Sequence, residues 1–346
     1  MTPSILFQEI HQQPGVIADL LSTEAQNVAK IVQSIRGKFS YVVIAARGTS
    51  DNAARYAQYL FGVHNHLQVA LATPSLYTLY DSPPNLDGAL VVGISQSGQS
   101  PDIVAVLAEG KRQGRPTLAI TNQTQSPLAL SADFVIPLHA GAEKAIAATK
   151  TYTTSLAALA MLSTSLLPES QHLAQLHGIP QVMQTTLDNL AEVIGRAERY
   201  RYMGHCAVIG RGFNYATAFE IALKVKELTR VVAEPYSSAD FRHGPIATVI
   251  QGFPLILVAP TGAVSNDILD LAAHLKRLQA EMILISDDEQ LLAGARLGLP
   301  IPSGLPEWVT PLVSVLPGQL FALNLALACG LNPDQPEGLH KVTETL

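Results

Sequence analysis

Short runs of apolar residues alternate along this chain with stretches in which apolar positions recur every three or four residues. Tyr41–Ala46 (YVVIAA) is such a run, and the amphipathic stretch Asp51–Phe61 follows it. Leu90–Ile94 (LVVGI) precedes a helical pattern over Asp102–Gln113. Thr117–Thr121 (TLAIT) and Asp133–Pro137 (DFVIP) complete a set of short strands. A strand that is apolar at consecutive positions must be covered on both faces. The pattern therefore predicts an α/β fold with a parallel sheet between two helical layers.

The same order returns about 165 residues later. Ala45-Ala46-Arg47-Gly48 corresponds to Ile209-Gly210-Arg211-Gly212, and Val92–Leu107 to Val258–Leu271. Leu118-Ala119-Ile120 corresponds to Ile283-Leu284-Ile285, and Ile136-Pro137 to Ile301-Pro302. The chain thus reads as two copies of one fold, at 35–170 and 199–332. A helical arm precedes them (1–34, with its helical spacing over 15–36), and a helical linker joins them (171–198, with a helix over Pro180–Glu198). A Pro- and Gly-containing tail, 333–346, follows as a loop.

Composition narrows the class. Of 346 residues, 48% are hydrophobic but only 6% aromatic, so the cores must be aliphatic. Charged residues make up 14%, well under the usual quarter, which excludes a disordered chain. A net charge of −6 argues against nucleic-acid binding. Ser155–Leu167, read as the longest weakly polar stretch, is too short to cross a bilayer. The N-terminus lacks a basic start followed by an apolar run and is read as no signal peptide. Cys206 and Cys329 form no CxxC, and His64 and His66 belong to no larger ligand cluster, so no metal or other cofactor is assigned. A cytoplasmic protein is expected, without a membrane partner.

The two copies differ in their chemistry. In the first, Ser95-Gln96-Ser97-Gly98-Gln99-Ser100 follows a buried strand, and Pro101 opens a helix. Hydroxyls, backbone N–H groups and the positive end of a helix dipole together suit an anion, phosphate above all. Three serines exceed what a helix cap needs. The matching turn of the second copy, Pro260–Asn266, has lost two of the hydroxyls, so one phosphate site per chain is expected. Thr49 and Ser50, after the first strand, either face the same ligand or form a capping box. Glu143–Thr153 (EKAIAATKTYT) is read as opening the last helix of the first copy, with Thr149 as a further hydroxyl. In the second copy Glu220, Lys224 and Glu227 share one helical face, as either a solvated ion-pair stripe or a site. His243, in FRHGP, is placed where a loop begins a helix, and Lys341 lies in the tail.

These segments resemble the double sugar-isomerase (SIS) domain family. They are similar above all to the isomerase half of glucosamine-6-phosphate synthases and to type II glucosamine-6-phosphate deaminases. The matching stretches are ARGTSDNA, GISQSGQSPD, AATKTYTT, GRGFNYATAFEIALKVKEL, AEPYSSADFRHGP and HKVT. The resemblance implies two tandem SIS domains, each a three-layer α/β/α sandwich with a mostly parallel, doubly wound sheet. It implies that Thr49, Ser50, Ser95, Gln96, Ser97 and Ser100 hold a sugar phosphate, with Ala148 and Thr149 beside the sugar. The family often has Ser where Ala148 stands, and Thr where Ser100 stands. Glu227 would move a proton between C1 and C2, with Lys224 and Glu220 flanking it. His243 would assist ring opening from the neighbouring subunit of a homodimer that shares its active sites. Lys341 would form an imine or polarise the carbonyl.

Met1-Thr2 leads straight into the arm, and no cysteine precedes Cys206, so glutamine-derived ammonia is not expected to feed this site. The implied reaction is glucosamine 6-phosphate plus water giving fructose 6-phosphate plus ammonia. The alternatives are a fructosamine-6-phosphate deglycase, another amino-sugar-phosphate isomerase, or a non-catalytic phosphosugar-binding regulator.

Overall fold

The computed structural model describes residues 3–167, 172–191 and 193–341. These residues fall into two compact units. One comprises described residues within 15–143, 150–177 and 340–341, the other those within 3–14, 144–149 and 178–339.

Each unit carries a five-stranded sheet in which every neighbouring pair is parallel. The first consists of β1 (Tyr41–Ala45), β2 (Gln68–Leu71), β3 (Ala89–Ser95), β4 (Thr117–Thr121) and β5 (Phe134–Pro137), in the order β2-β1-β3-β4-β5. The second consists of β6 (His205–Gly210), β7 (Val232–Ser237), β8 (Pro254–Val258), β9 (Glu281–Ser286) and β10 (Leu297–Pro300), in the order β7-β6-β8-β9-β10. One order appears twice, which is what the duplication requires. Every residue of β3, β4, β8 and β9 is buried, as expected of strands with helices on both sides of the sheet. The architecture is one α/β/α sandwich with a parallel sheet, built twice.

Local backbone repeats as well. Arg47 is extended (φ −137°, ψ 153°) before Gly48 (φ 53°), and Arg211 (φ −148°, ψ 155°) precedes Gly212 (φ 58°) in the same way. The last correspondence shifts, however. Ile136 pairs with Ile120, and Leu299 pairs with Ile285, so Ile136-Pro137 matches Leu299-Pro300. Ile301-Pro302 lies two residues later, outside β10. The β2 and β7 strands, both at sheet edges, escaped the sequence pattern because they are only partly buried and offer no unbroken apolar run, with Gln68 opening one and Glu234 and Pro235 interrupting the other.

The helices bring three corrections. The arm helix runs Ile5–Ile35, straight through Pro14. It starts early because the Asp334 carboxylate, more than three hundred residues away in sequence, accepts the Ile5 and Leu6 N–H groups at 2.9 and 2.8 Å. Those N–H groups have no partner within the helix, so a distant carboxylate can fix its first turn. The linker pattern over Pro180–Glu198 resolves into an α-helix, Ile179–Leu190, and a 3₁₀ segment, Ile194–Tyr200. Apolar spacing does not register such a change of pitch. Finally, Ser155–Leu167 is not the longest apolar stretch. Glu307–Ala328 is long and apolar enough to cross a membrane by length and composition, yet most of it is buried inside the protein. Its helix, Thr310–Ala328, packs on Tyr215–Thr229 and Ile179–Leu190 as an all-round core helix.

Candidate functional site

In the first unit the serine turn leaves β3 at the point where the strand order reverses. β1 and β3 are adjacent there and their crossovers run in opposite directions, the usual ligand position in an open parallel sheet. The Ser95 hydroxyl oxygen accepts the Gly98 N–H at 3.1 Å, and that of Ser97 accepts the Gln99 N–H at 3.3 Å. The Gln96 carbonyl accepts the Asn122 N–H at 3.2 Å. Each of these bonds holds the turn in shape and leaves the serine O–H protons to donate elsewhere. Gly98 has φ +62°, and a Cβ there would lie 2.1 Å from the Ser126 hydroxyl oxygen, so only glycine closes this turn.

Ser100 occupies the N-cap of helix Pro101–Arg112, yet its side chain makes no capping bond. The N-cap of helix Gly48–Asn65 is Arg47, also without a side-chain cap, so Thr49 and Ser50 lie inside the first turn and form no capping box. Both are half-buried. Arg47 donates to the fully buried Asp102 carboxylate at 2.8 Å and ties the two turns together.

In the second copy the equivalent donors are already used by the chain itself. The Thr261 N–H meets an Asp287 carboxylate oxygen, the Gly262 N–H the Ser265 hydroxyl, and the Ala263 N–H a Glu307 carboxylate oxygen, each at 2.7 Å. A Cβ on Gly262 would fall 2.4–2.6 Å from Glu307 side-chain atoms, so this glycine admits the carboxylate. Asp267, the counterpart of Asp102, accepts from Arg242 at 2.6 Å and from the Ser238 hydroxyl. Burial would raise its carboxyl, but Ser238 and Arg242 outweigh burial and hold it below the ordinary value.

The second unit carries the charged helix, Tyr215–Thr229. Its face is not a solvated stripe. The side chains of Glu220 and Lys224 are 0% and 1% exposed, and only Glu227, at 22%, reaches solvent. The Lys224 Nζ stands 3.4 Å from Glu220 Oε1 and 2.6 Å from Glu227 Oε2. Burial alone would push the ammonium pKa down, but the two carboxylates overcome burial and hold it above the ordinary lysine value. Lys226 is exposed on the other side. Glu227 also borders a cleft with Arg230, Asn332, Gln335 and Glu337, in which Arg230 and Glu337 form an ion pair.

His243 does not begin a helix. It closes the short helix Ser238–Arg242, and Gly244 then leads into a 3₁₀ turn, Pro245–Thr248. Its ring is exposed and makes no hydrogen bond among the described residues. The helix expected to open at Glu143 starts instead at Lys150. The preceding segment spends its backbone N–H groups outside that helix. Lys144 and Ala145 donate to the Glu9 carboxylate at 2.5 and 3.3 Å, and Ile146 to the Asp334 carbonyl at 3.3 Å. Thr149 is buried and Ala148 half-buried.

The tail has no regular structure up to Lys341, as expected, and Val342 and Thr343 of the HKVT motif lie outside the described residues. Lys341 Nζ meets the buried Glu143 carboxylate at 3.0 Å. Sequence reasoning did not single out Glu143, nor Asp334, Glu307 or Arg230. Glu143 was visible only as the first residue of a segment read as opening a helix. The other three carried no local signal, because their partners are far away in sequence.

The SIS domain family matches residues 38–165 and 201–329. Glutamine–fructose-6-phosphate aminotransferase of Aquifex aeolicus (strain VF5) is 33% identical over 339 residues, covering 97% of this chain and 57% of that protein. The protein of the same name from Pyrococcus horikoshii is 32% identical over 345 residues, with the same coverages of 97% and 57%. The chain thus spans 57% of the length of these relatives. The C-terminal domain of glucosamine-fructose-6-phosphate aminotransferase from Francisella tularensis superposes with a TM-score of 0.87 at 26% identity, covering 96% of this chain and 98% of that one. Glucosamine-6-phosphate deaminase from Thermotoga maritima shares the fold, with a TM-score of 0.79 at 20% identity over 99% of this chain and 100% of that one. With both repeats matched and the same sheet built twice, the chain belongs to the SIS domain family, in a two-repeat form.

Proposed function

We propose that this chain is an amino-sugar-phosphate isomerase and deaminase. It converts glucosamine 6-phosphate and water into fructose 6-phosphate and ammonia. The observation that carries the reading is the buried Lys224 between Glu220 and Glu227, with Glu227 alone reaching solvent. Such an arrangement supplies a carboxylate base and a fixed cation for a developing oxyanion. The names of the relatives and the unused hydroxyl donors of the serine turn support the same class of substrate.

Ser95, Gln96, Ser97 and Ser100, with Thr49 and Ser50, hold the phosphate, and Ala148 and Thr149 lie along the sugar. His243, contributed by the second subunit of a homodimer, assists ring opening. In the open aldehyde, Glu227 takes the C2 proton, and Lys224 stabilises the charge that develops on O1. The enolamine then receives a proton at C1 and becomes an imine at C2. Water adds to that imine, and ammonia leaves to give the ketone. Glu220 does not touch substrate in this scheme; it balances the charge of Lys224. Lys341 meets the open-chain sugar near its carbonyl.

The test is a paired assay of ammonia and fructose 6-phosphate after adding glucosamine 6-phosphate. Equal release of both supports the proposal. Turnover only with a glycated amino acid 6-phosphate identifies a deglycase instead. Tight binding without turnover of either identifies a regulator.

A further inference from the structure

A lysine near the end of an irregular tail is a poor catalytic group unless something holds it. Fixing its four rotatable bonds carries a cost in rotamer entropy that an unheld tail would have to meet at every encounter. Lys341 has such a holder in its own unit. Its Nζ lies 3.0 Å from Glu143 Oε2. The Glu143 side chain is 0% exposed, so the carboxylate cannot swing to follow the tail.

Two further bonds set its orientation. Glu143 Oε1 accepts the Thr151 N–H at 3.0 Å, and Oε2 accepts the Thr151 hydroxyl at 2.8 Å. Thr151 stands in the first turn of helix Lys150–Leu166, whose residues Lys150–Thr164 are all buried. The carboxylate is thus fastened to a rigid core helix through both oxygens, and Oε2 also meets the tail lysine. The dependence is mutual, because a buried carboxylate stripped of its cation is strongly unfavourable.

We infer that Glu143 is a positioning residue for Lys341, fixing the tail amine at a set point relative to the first unit's core. The inference rests on the reading that Lys341 meets the open-chain sugar. Glu143 itself touches no substrate and acts only through the lysine. Losing it leaves phosphate binding intact and frees the amine, and a displacement of about 1 Å at a reacting group costs on the order of 100-fold in rate.

A double-mutant cycle in the full chain tests this, with glucosamine 6-phosphate as substrate. Glu143→Gln keeps an acceptor for the Thr151 N–H but loses the charge. It is expected to lower kcat by about 10- to 100-fold with little change in KM, and Glu143→Asp recovers part of the loss. Lys341→Met is expected to be impaired at least as much. The Glu143→Gln/Lys341→Met double variant is expected to match Lys341→Met alone, since Glu143 has nothing left to position. Thermal midpoints of all four proteins show whether each is folded. Additive losses in kcat, or a Glu143→Gln enzyme as active as the parent while Lys341→Met is impaired, overturn the inference. A fully active Lys341→Met enzyme overturns instead the role of Lys341 on which it rests.

Discussion

Lys224 illustrates how far burial changes the meaning of a charge. Three ionisable residues at helical spacing read equally well as a surface ion-pair stripe. What separates the readings is that Glu220 and Lys224 are inaccessible and Glu227 is not. Spacing alone does not say which helical face is covered, so the burial of Glu220 and Lys224 was not legible in it, although the resemblance already singled out all three residues. Removing the lysine charge takes the ammonium away from the buried Glu220 carboxylate. Lys224→Met should therefore lower unfolding stability by about 3–5 kcal/mol, as read by denaturant titration. A change below about 1 kcal/mol, the worth of an exposed pair, would mean that the carboxylate is not buried in solution. Glu227→Gln acts differently. It keeps the shape of the side chain and should preserve sugar-phosphate binding while lowering kcat by about 10²- to 10⁴-fold, the usual worth of a general base.

Among the elements, the serine turn was the most legible. Its serines, the Pro at the start of the helix and the preceding apolar strand are all local signals, and the structure places them as read. The choice between capping and ligand binding was not legible. It depends on bonds the hydroxyls do not make, at Ser100 and at the Arg47 cap. Helix ends were missed wherever a distant group sets them, as Asp334 does for the helix that begins at Ile5. The edge strands β2 and β7 were missed because they are short or interrupted by Glu234 and Pro235 and only partly buried, whereas the edge strand β5 was read from its apolar run. Gly98→Ala tests the turn itself. The added methyl meets the Ser126 hydroxyl at a backbone angle L-residues avoid, so the turn must open. Affinity for fructose 6-phosphate should fall at least tenfold in calorimetric titration, with the variant still folded. Unchanged affinity would show that the turn does not hold the phosphate.

At the scale of the whole molecule, duplication was plain in the sequence, whereas the fate of the second copy was only half visible. The loss of hydroxyls from Pro260–Asn266 was readable, but the carboxylates of Asp287 and Glu307 on its N–H groups were not. One sugar phosphate per chain is therefore expected by titration, and Ser95→Ala/Ser97→Ala should abolish binding rather than leave a second site. The low charge also has a structural account, since two buried sheets and two buried apolar helices need few ionic groups.

Stability should respond to acid through His64. Burial, then the neighbouring His172, lowers its pKa from 6.5 to about 4. The unfolded chain takes up this proton first, so the contribution is complete above the ordinary value and is lost as pH falls toward the lowered one. The thermal midpoint should drop between pH 7 and pH 4 less steeply in His64→Gln than in the parent, and identical slopes would remove His64 from the account.

The central claim is that Glu227 moves the proton at C2 of a phosphorylated amino sugar. Its most direct test is proton NMR of glucosamine 6-phosphate incubated in D₂O with the parent chain or with Glu227→Gln. The parent should lose the C2 proton, by exchange for deuterium in substrate returned by reversal and by delivery of solvent deuterium to C1 of the fructose 6-phosphate formed. The variant should still be stabilised against heat by the sugar phosphate but should exchange C2 at less than about one hundredth of the parent rate. Exchange at the parent rate in a folded, ligand-binding Glu227→Gln protein would contradict the assignment.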